Sequence, residues 1–339
     1  MNIAIFDLKP WEKKMFASCL KGHKVTYFKS DLDNTKISEF KNAEIISCFI
    51  TSKIDAKTIK ALPKLKLIAT RSTGYDHIDV KTAASKKVAV ANVPSYGENT
   101  VAEHAFALIL SLSRNIHKSY LRTIREDYSI EGLQGFDLQG KTIGVVGAGR
   151  IGRHTIRIAN GFGMNVLAYD PHPDHNLSET LDFKYVSLKK LLSKSDIISL
   201  HVPYCPETHH LINKKNIKLL KKGALFINTA RGGLVDTNAL IWALDKKIIA
   251  GAGLDVLEEE DLILEEKHMV HRHINNPEMM SMVRNHILLS YENVVFTPHI
   301  AFYSIEAVQR ITKTTIDNIL AFIGGKSSNL VSIAKKTAR

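Results

Sequence analysis

No run of apolar residues in this chain approaches the length of about twenty needed to cross a bilayer; the longest lies around Ala105–Leu112. The N-terminus, MNIAIFDLKP, has no basic segment and no cleavage site, and its pattern is that of a strand rather than a signal peptide. Cysteine is scarce. Cys19, Cys48 and Cys205 are odd in number and stand at no metal-ligand spacing, which argues against a disulfide framework and fits a reducing cytoplasm. With 9 prolines and 19 glycines in 339 residues, no long linker or low-complexity tract is expected, and no fixed-period repeat runs through the chain. Acidic residues are also short, 34 against 46 basic ones, leaving a formal charge of +12. A basic balance can mark a nucleic-acid binder, but no helix-turn-helix, zinc finger or aromatic RNA platform accompanies it. The lysine-rich run Asn213–Lys222 (NKKNIKLLKK) has the period of a solvated helix face. The expectation is therefore no nucleic-acid and no membrane partner, with a positive field that favours small anionic substrates and a dinucleotide.

What the chain does have is short Ile- and Val-rich runs alternating with helical patterns. Asn2–Phe6, Lys24–Phe28, Glu44–Phe49, Leu65–Thr70 and Val88–Asn92 are expected strands of a first α/β domain. A helical stretch over Thr100–Ser113 follows, apolar around most of its circumference, as in a helix that joins two domains or forms a subunit interface. A second series then begins: Thr142–Val146, Asn165–Tyr169, Asp196–Leu200, Gly223–Asn228, Ile249–Leu254 and Val294–Thr297. Ser304 is placed to cap a last helix to about Ile323, with Val308, Ile311, Thr315, Ile319 and Phe322 inward. If that helix returns to the first domain, residues 1–99 and 300–339 form one discontinuous domain, and 100–299 are inserted into it.

The inserted part opens with KTIGVVGAGRIGR, a G-x-G-x-x-G pattern at Gly147, Gly149 and Gly152 directly after a strand and before an amphipathic helix. In that context the glycines allow a tight turn, close approach of a pyrophosphate and helix–strand packing, with the phosphates on the helix N-terminus. Asp170 ends the next strand, where a carboxylate accepts hydrogen bonds from ribose hydroxyls and repels a 2′-phosphate; NAD is the expected cofactor.

Three more stretches place polar residues at strand ends: ALFINTARGG (Arg231), GAGLDVLEEE (the acids Glu258 to Glu260) and NVVFTPHIAF (His299). An arginine fork grips a carboxylate. A histidine can give a proton to a carbonyl oxygen, and a neighbouring carboxylate orients its ring. With NAD this set describes reversible reduction of a 2-keto acid, although strand geometry leaves the choice among the three acids open. His201 is expected to shape the adenosine pocket. Arg71 and His77 suit packing and site support equally, and His268, His271 and His273 read as a solvated charged segment, so no metal is expected.

Along nearly its whole length the chain resembles the D-isomer-specific 2-hydroxyacid dehydrogenase family. The resemblance is carried by RSTGYDHID (71–79), NVPSYGENTVAEHAFALIL (92–110), GVVGAGRIG (144–152), DIISLHVP (196–203), INTARGGLVD (227–236), GLDVLEEE (253–260) and TPHIAF (297–302). It implies two doubly wound parallel-sheet domains, a flavodoxin-like substrate domain and a Rossmann NAD domain. It implies Arg231, Glu260 and His299 as catalytic residues. It also implies cofactor contacts at Arg150, Ile151, Asp170, Val202, Pro203, Thr208, Thr229, Ala230 and Asp255, and substrate contacts at the backbone of Thr73 and Gly74 and at Tyr96. PSYGENTVAE and HIAFYS have close counterparts in lactate-type members, which favours pyruvate and D-lactate. Other 2-hydroxy acids (2-hydroxybutyrate, glycerate, phenyllactate) are the nearest alternatives. A corepressor-like NAD sensor is a more distant one, disfavoured because little chain follows the last helix. Phe49, ending a strand, is expected either to limit the acyl chain or to be core. A homodimer is expected, with Thr100–Ser113 near its interface. The segment between Glu260 and Thr297 is longer than in many members.

Overall fold

Ile45–Cys48 and Leu67–Thr70 are buried at every position, as strands covered on both faces must be. The computed structural model describes residues 1–260 and 276–331, and the chain divides into two compact units, Met1–Gly97 with Ser304–Arg339, and Glu98–Tyr303. The divisions fall a few residues from the expected 99/100 and 299/300.

In the first unit the strands are β1 (Asn2–Ile5), β2 (Lys24–Tyr27), β3 (Ile45–Cys48), β4 (Leu67–Thr70) and β5 (Ala89–Ala91), each a residue or more shorter than its apolar run. They form one parallel sheet in the order β2-β1-β3-β4-β5, the flavodoxin-like arrangement. The helix Ile305–Ile323 belongs to this unit. Ser304 Oγ accepts from the Ala307 N–H at 3.2 Å to cap it, and Ile311, Thr315 and Ile319 are buried while Val308 and Phe322 are partly so. Asn318 Nδ2 donates to Asn92 O beside β5, tying the late segment to the early sheet. Arg71 is tied into the sheet. It is buried, its guanidinium donates to Phe6 O at 2.7 Å and Asp7 O at 3.1 Å, and the buried Glu12 lies 3.7 Å away.

In the second unit, β6 (Thr142–Val146), β7 (Asn165–Tyr169), β8 (Lys184–Tyr185), β9 (Ile197–Leu200), β10 (Ala224–Asn228), β11 (Ile249–Leu254) and β12 (Val294–Phe296) form a second parallel sheet, ordered β12-β11-β10-β9-β6-β7-β8. This is a Rossmann order, and the strand order reverses between β6 and β9. The two-residue β8 has no counterpart among the expected strands.

The helix Glu98–Ser113 covers the expected Thr100–Ser113 stretch. Its apolar circumference is taken up inside its own unit, where Ala105, Phe106, Leu108, Ile109 and Leu112 share a core with Ile143, Val145, Ile156 and Ala159. A Cβ at Gly253 would come within 2.9 Å of Leu108 Cβ, so the glycine lets the helix lie directly on β11. The exposed apolar side chains come later, at Ile116, Tyr120, Leu121, Ile124, Tyr128 and Ile130. Among the described residues no helix is long and apolar enough to cross a membrane.

Candidate active site

Ligands of open parallel sheets gather at the carboxyl ends of the strands, near the point where strand order reverses. After β6 the chain turns at Gly147 (φ +97°) and enters the helix Arg150–Gly161. A Cβ at Gly152 would sit 2.0 Å from Gly147 O, so only glycine lets the helix begin against the turn. At Gly149 an added Cβ meets nothing within 4 Å, and the N-cap makes no side-chain hydrogen bond, which leaves space for an anion at the helix N-terminus. Asp170, directly after β7, accepts from the N–H of Ala148 and of His172, both at 2.9 Å. Each oxygen keeps a lone pair for a ribose hydroxyl.

Val202 and Pro203 follow β9, and Thr229 and Ala230 follow β10, on the same edge of the sheet. Thr229 Oγ1 is buried and makes no hydrogen bond. A buried hydroxyl without a partner is costly and points to a group supplied from outside the chain. The uncapped helix, the glycine turn and this hydroxyl together fit a dinucleotide. Thr208 is already committed: its hydroxyl donates to Pro203 O at 2.7 Å and accepts from Cys205 N at 2.8 Å. His201 is a neutral strut. Desolvation pushes it down to about 3, and its Nε2 lies 2.8 Å from Ser199 Oγ and 3.1 Å from Thr155 Oγ1.

Strands β10, β11 and β12 are neighbours, with Asn228 in register with Leu254 and Leu254 with Phe296. The segments carrying Arg231, Asp255 to Glu260, and His299 thus leave the sheet side by side. Asn228 shapes the first turn, its amide donating to Arg231 O and its carbonyl accepting from Ala230 N. The three acids separate cleanly. Glu258 takes His210 Nε2 at 2.6 Å and the hydroxyl of Thr237 at 2.8 Å. Burial pushes its carboxyl up, but these bonds outweigh burial and hold it below the ordinary glutamate value. Glu259 has positive φ (+53°) and makes no bond to His299. Glu260 Oε1 lies 2.6 Å from His299 Nδ1, while its Oε2 accepts from Leu257 N at 3.2 Å. His210 and Thr237, which occupy Glu258, had no signal in motif or spacing.

His299 itself has φ +53°, a left-handed conformation that costs a non-glycine residue about 1–2 kcal/mol. The turn is held from below by Asp255, only 1% exposed, whose carboxylate takes the N–H of Ile300 and of Ala301 at 2.9 Å and the Thr297 hydroxyl at 2.5 Å. The Asp255 carbonyl accepts the His299 N–H at 2.9 Å. The resemblance implies Asp255 as a cofactor contact; its carboxylate accepts three hydrogen bonds from this turn.

In the first unit, Thr73 Oγ1 donates to Val93 O at 2.6 Å, and Ser72 Oγ donates to Gly74 O at 2.6 Å. The backbone N–H groups of Thr73 and Gly74 have no acceptor among the described residues. His77 Nε2 lies 3.1 Å from Thr70 Oγ1 and supports that loop. Tyr96 is half-buried, its carbonyl accepting from Arg310 Nε. Phe49 lies just past β3 and is partly exposed, outside the buried core. His268, His271 and His273 lie outside the described residues.

Residues 106–301 match the family described as D-isomer specific 2-hydroxyacid dehydrogenase, NAD binding domain. The chain is similar to 2-hydroxyacid dehydrogenase homolog 1 of Schizosaccharomyces pombe, 38% identical over 95% of this chain and 96% of the relative. It is also similar to the D-lactate dehydrogenase of Escherichia coli, 36% identical over 94% of this chain and 96% of the relative. Among solved structures it resembles a D-lactate dehydrogenase from Aquifex aeolicus complexed with NAD and lactic acid. The TM-score is 0.85 at 36% identity, covering 96% of each chain.

The close approach at Gly152 generates a direct check. Gly152→Ala is expected to weaken NADH binding, followed by nicotinamide fluorescence, by about tenfold or more, equivalent to about 1.4 kcal/mol. An unchanged dissociation constant would contradict the account of the turn.

Proposed function

The chain belongs to the D-isomer-specific 2-hydroxyacid dehydrogenase family and uses NAD, and on that premise we propose that its substrate pair is pyruvate and D-lactate. We assign the chemistry to Arg231, Glu260 and His299. The observation that carries this reading is the 2.6 Å contact of His299 Nδ1 with Glu260 Oε1, between the segments that follow β12 and β11, with Arg231 on the segment that follows β10, the other neighbour of β11.

NAD, when bound, supplies the two-electron carrier that gives or accepts hydride. Glu260 holds Nδ1 of His299 and fixes the ring, leaving Nε2 as the atom that donates a proton to the keto oxygen in reduction and takes it back in oxidation. Arg231 binds the substrate carboxylate through two parallel charge-assisted bonds. In the first unit, the free N–H groups of Thr73 and Gly74 offer further donors, Tyr96 contacts substrate, and Phe49 limits acyl size; its partial exposure favours that role over core. At the nucleotide loop, the Asp170 carboxylate selects NAD over NADP. Lactate is preferred over longer 2-hydroxy acids because PSYGENTVAE and HIAFYS follow the lactate-type pattern and the similar Aquifex aeolicus structure is complexed with lactic acid. Free thiols at Cys19, Cys48 and Cys205 suit a reducing, cytoplasmic setting.

We also propose a homodimer, with Thr100–Ser113 near its interface and the exposed apolar side chains from Ile116 to Ile130 following it. Light scattering at micromolar concentration should give twice the chain mass, and a clean monomer would exclude it.

Steady-state kinetics with NADH test the chemistry. With pyruvate, His299→Gln should lower kcat by about a hundredfold or more, the scale of a lost general acid. Arg231→Lys should raise KM strongly and lower kcat, since an ammonium cannot reproduce the planar fork. In the same assay Phe49→Ala should shift kcat/KM toward 2-ketoisocaproate by about tenfold, at about 1–3 kcal/mol per pocket methylene. Wild-type constants in the first two variants would sink the residue assignments, and an unaltered substrate ranking in the third would remove Phe49 from the pocket. A wild-type enzyme that turns over another keto acid faster than pyruvate would overturn the lactate reading.

A further inference from the structure

Asp255 is a carboxylate removed from water, and such a group is kept only by donors that satisfy it. Two of its donors are the backbone N–H groups of Ile300 and Ala301. The third is the Thr297 hydroxyl, which points its single proton at Asp255 Oδ1. A hydroxyl has no second proton, so the remaining contact of that oxygen, His104 Nε2 at 2.9 Å, is an N–H donated by the imidazole. The same ring nitrogen lies 3.5 Å from Asp255 Oδ1. Proton order is therefore set along one line: His104 Nε2–H to Thr297 Oγ, and Thr297 Oγ–H to Asp255.

His104 stands on the helix Glu98–Ser113, which the glycine at 253 seats on β11, and its contact with Thr297 spans 193 residues of sequence. The turn that this line supports carries His299 in its left-handed conformation. A conformation of that kind persists only where its surroundings over-determine it. Without the His104 donor, the Thr297 hydroxyl is free to rotate away and the carboxylate loses both that donor and the neighbouring ring. We propose that His104 is a positioning residue. Through Thr297 and Asp255 it holds the 297–301 turn, and so aims the His299 ring at Glu260. The proposal rests on the assignment of His299 as the acid–base group.

The test uses the full chain and a readout independent of turnover. A histidine N–H bonded to a carboxylate at 2.6 Å should give a strongly downfield proton resonance, assigned by its absence in His299→Gln and in Glu260→Gln. His104→Leu should lose or displace this resonance. It should also lower kcat for pyruvate by about ten- to a hundredfold, the scale of a small misplacement of a catalytic group. The NADH dissociation constant should stay within about twofold of wild type, because the loss is in the chemical step rather than in binding. His104→Gln, which keeps a donor at the Nε2 position, should retain resonance and kcat. Thr297→Val breaks the line at its next member and should reproduce the leucine variant, with the double variant no worse than either single one. If His104→Leu fails to fold, the Gln and Val variants decide. Overturning results are a leucine variant with wild-type resonance and kcat, or a glutamine variant that falls as far. Should wild type reduce no 2-keto acid at all, the functional reading fails, and the resonance alone still decides the role of His104.

Discussion

The arrangement of the site depends on one buried carboxylate. Asp255 leaves the end of β11 and reaches under the segment that leaves β12, taking two successive backbone N–H groups and a hydroxyl. Its own carbonyl accepts the N–H of His299. A parallel sheet supplies only strand ends at fixed spacing; it does not say how a side chain three residues beyond a strand will point. Here the buried acid converts strand register into side-chain direction. Because removing such an acid leaves several donors unsatisfied at once, the turn is locked rather than biased.

Around this anchor, acids and histidines that look alike in sequence are given different tasks by their surroundings. Glu258 is held by His210 and Thr237, and braces the start of the helix Thr237–Asp245 against the loop after β9. Glu260 is left to meet His299. His201, desolvated and held between two hydroxyls, stays neutral and braces the glycine turn: its carbonyl lies 2.8 Å from where a Cβ on Gly147 would be. Environment, rather than residue type, separates the Glu260–His299 pair from the framework.

Much of this was legible beforehand. Strands Thr142–Val146, Asn165–Tyr169 and Ile249–Leu254 appear with the boundaries their apolar runs suggested, because buried parallel strands leave an unbroken Ile/Val signature. The Ser304 cap is equally plain, since its hydroxyl needs only the next turn of helix. What stayed hidden is what distant segments decide. Lys184–Tyr185 is too short to carry a period. The apolar circumference of Glu98–Ser113 could not say whether its cover is the same chain or another copy. The spacing of three consecutive glutamates could not tell which would be claimed by His210. Nor could it show that Asp255 faces a backbone turn 42 to 46 residues away.

The measurement that bears most directly on this account is amide hydrogen exchange at Ile300 and Ala301, which lie in no helix or strand. If Asp255 holds the turn, both amides are protected in the wild-type protein, and Asp255→Asn releases them while the amides of β12 keep their protection. Exchange in the wild type at the rate of an open loop, or protection that survives the substitution, would contradict it.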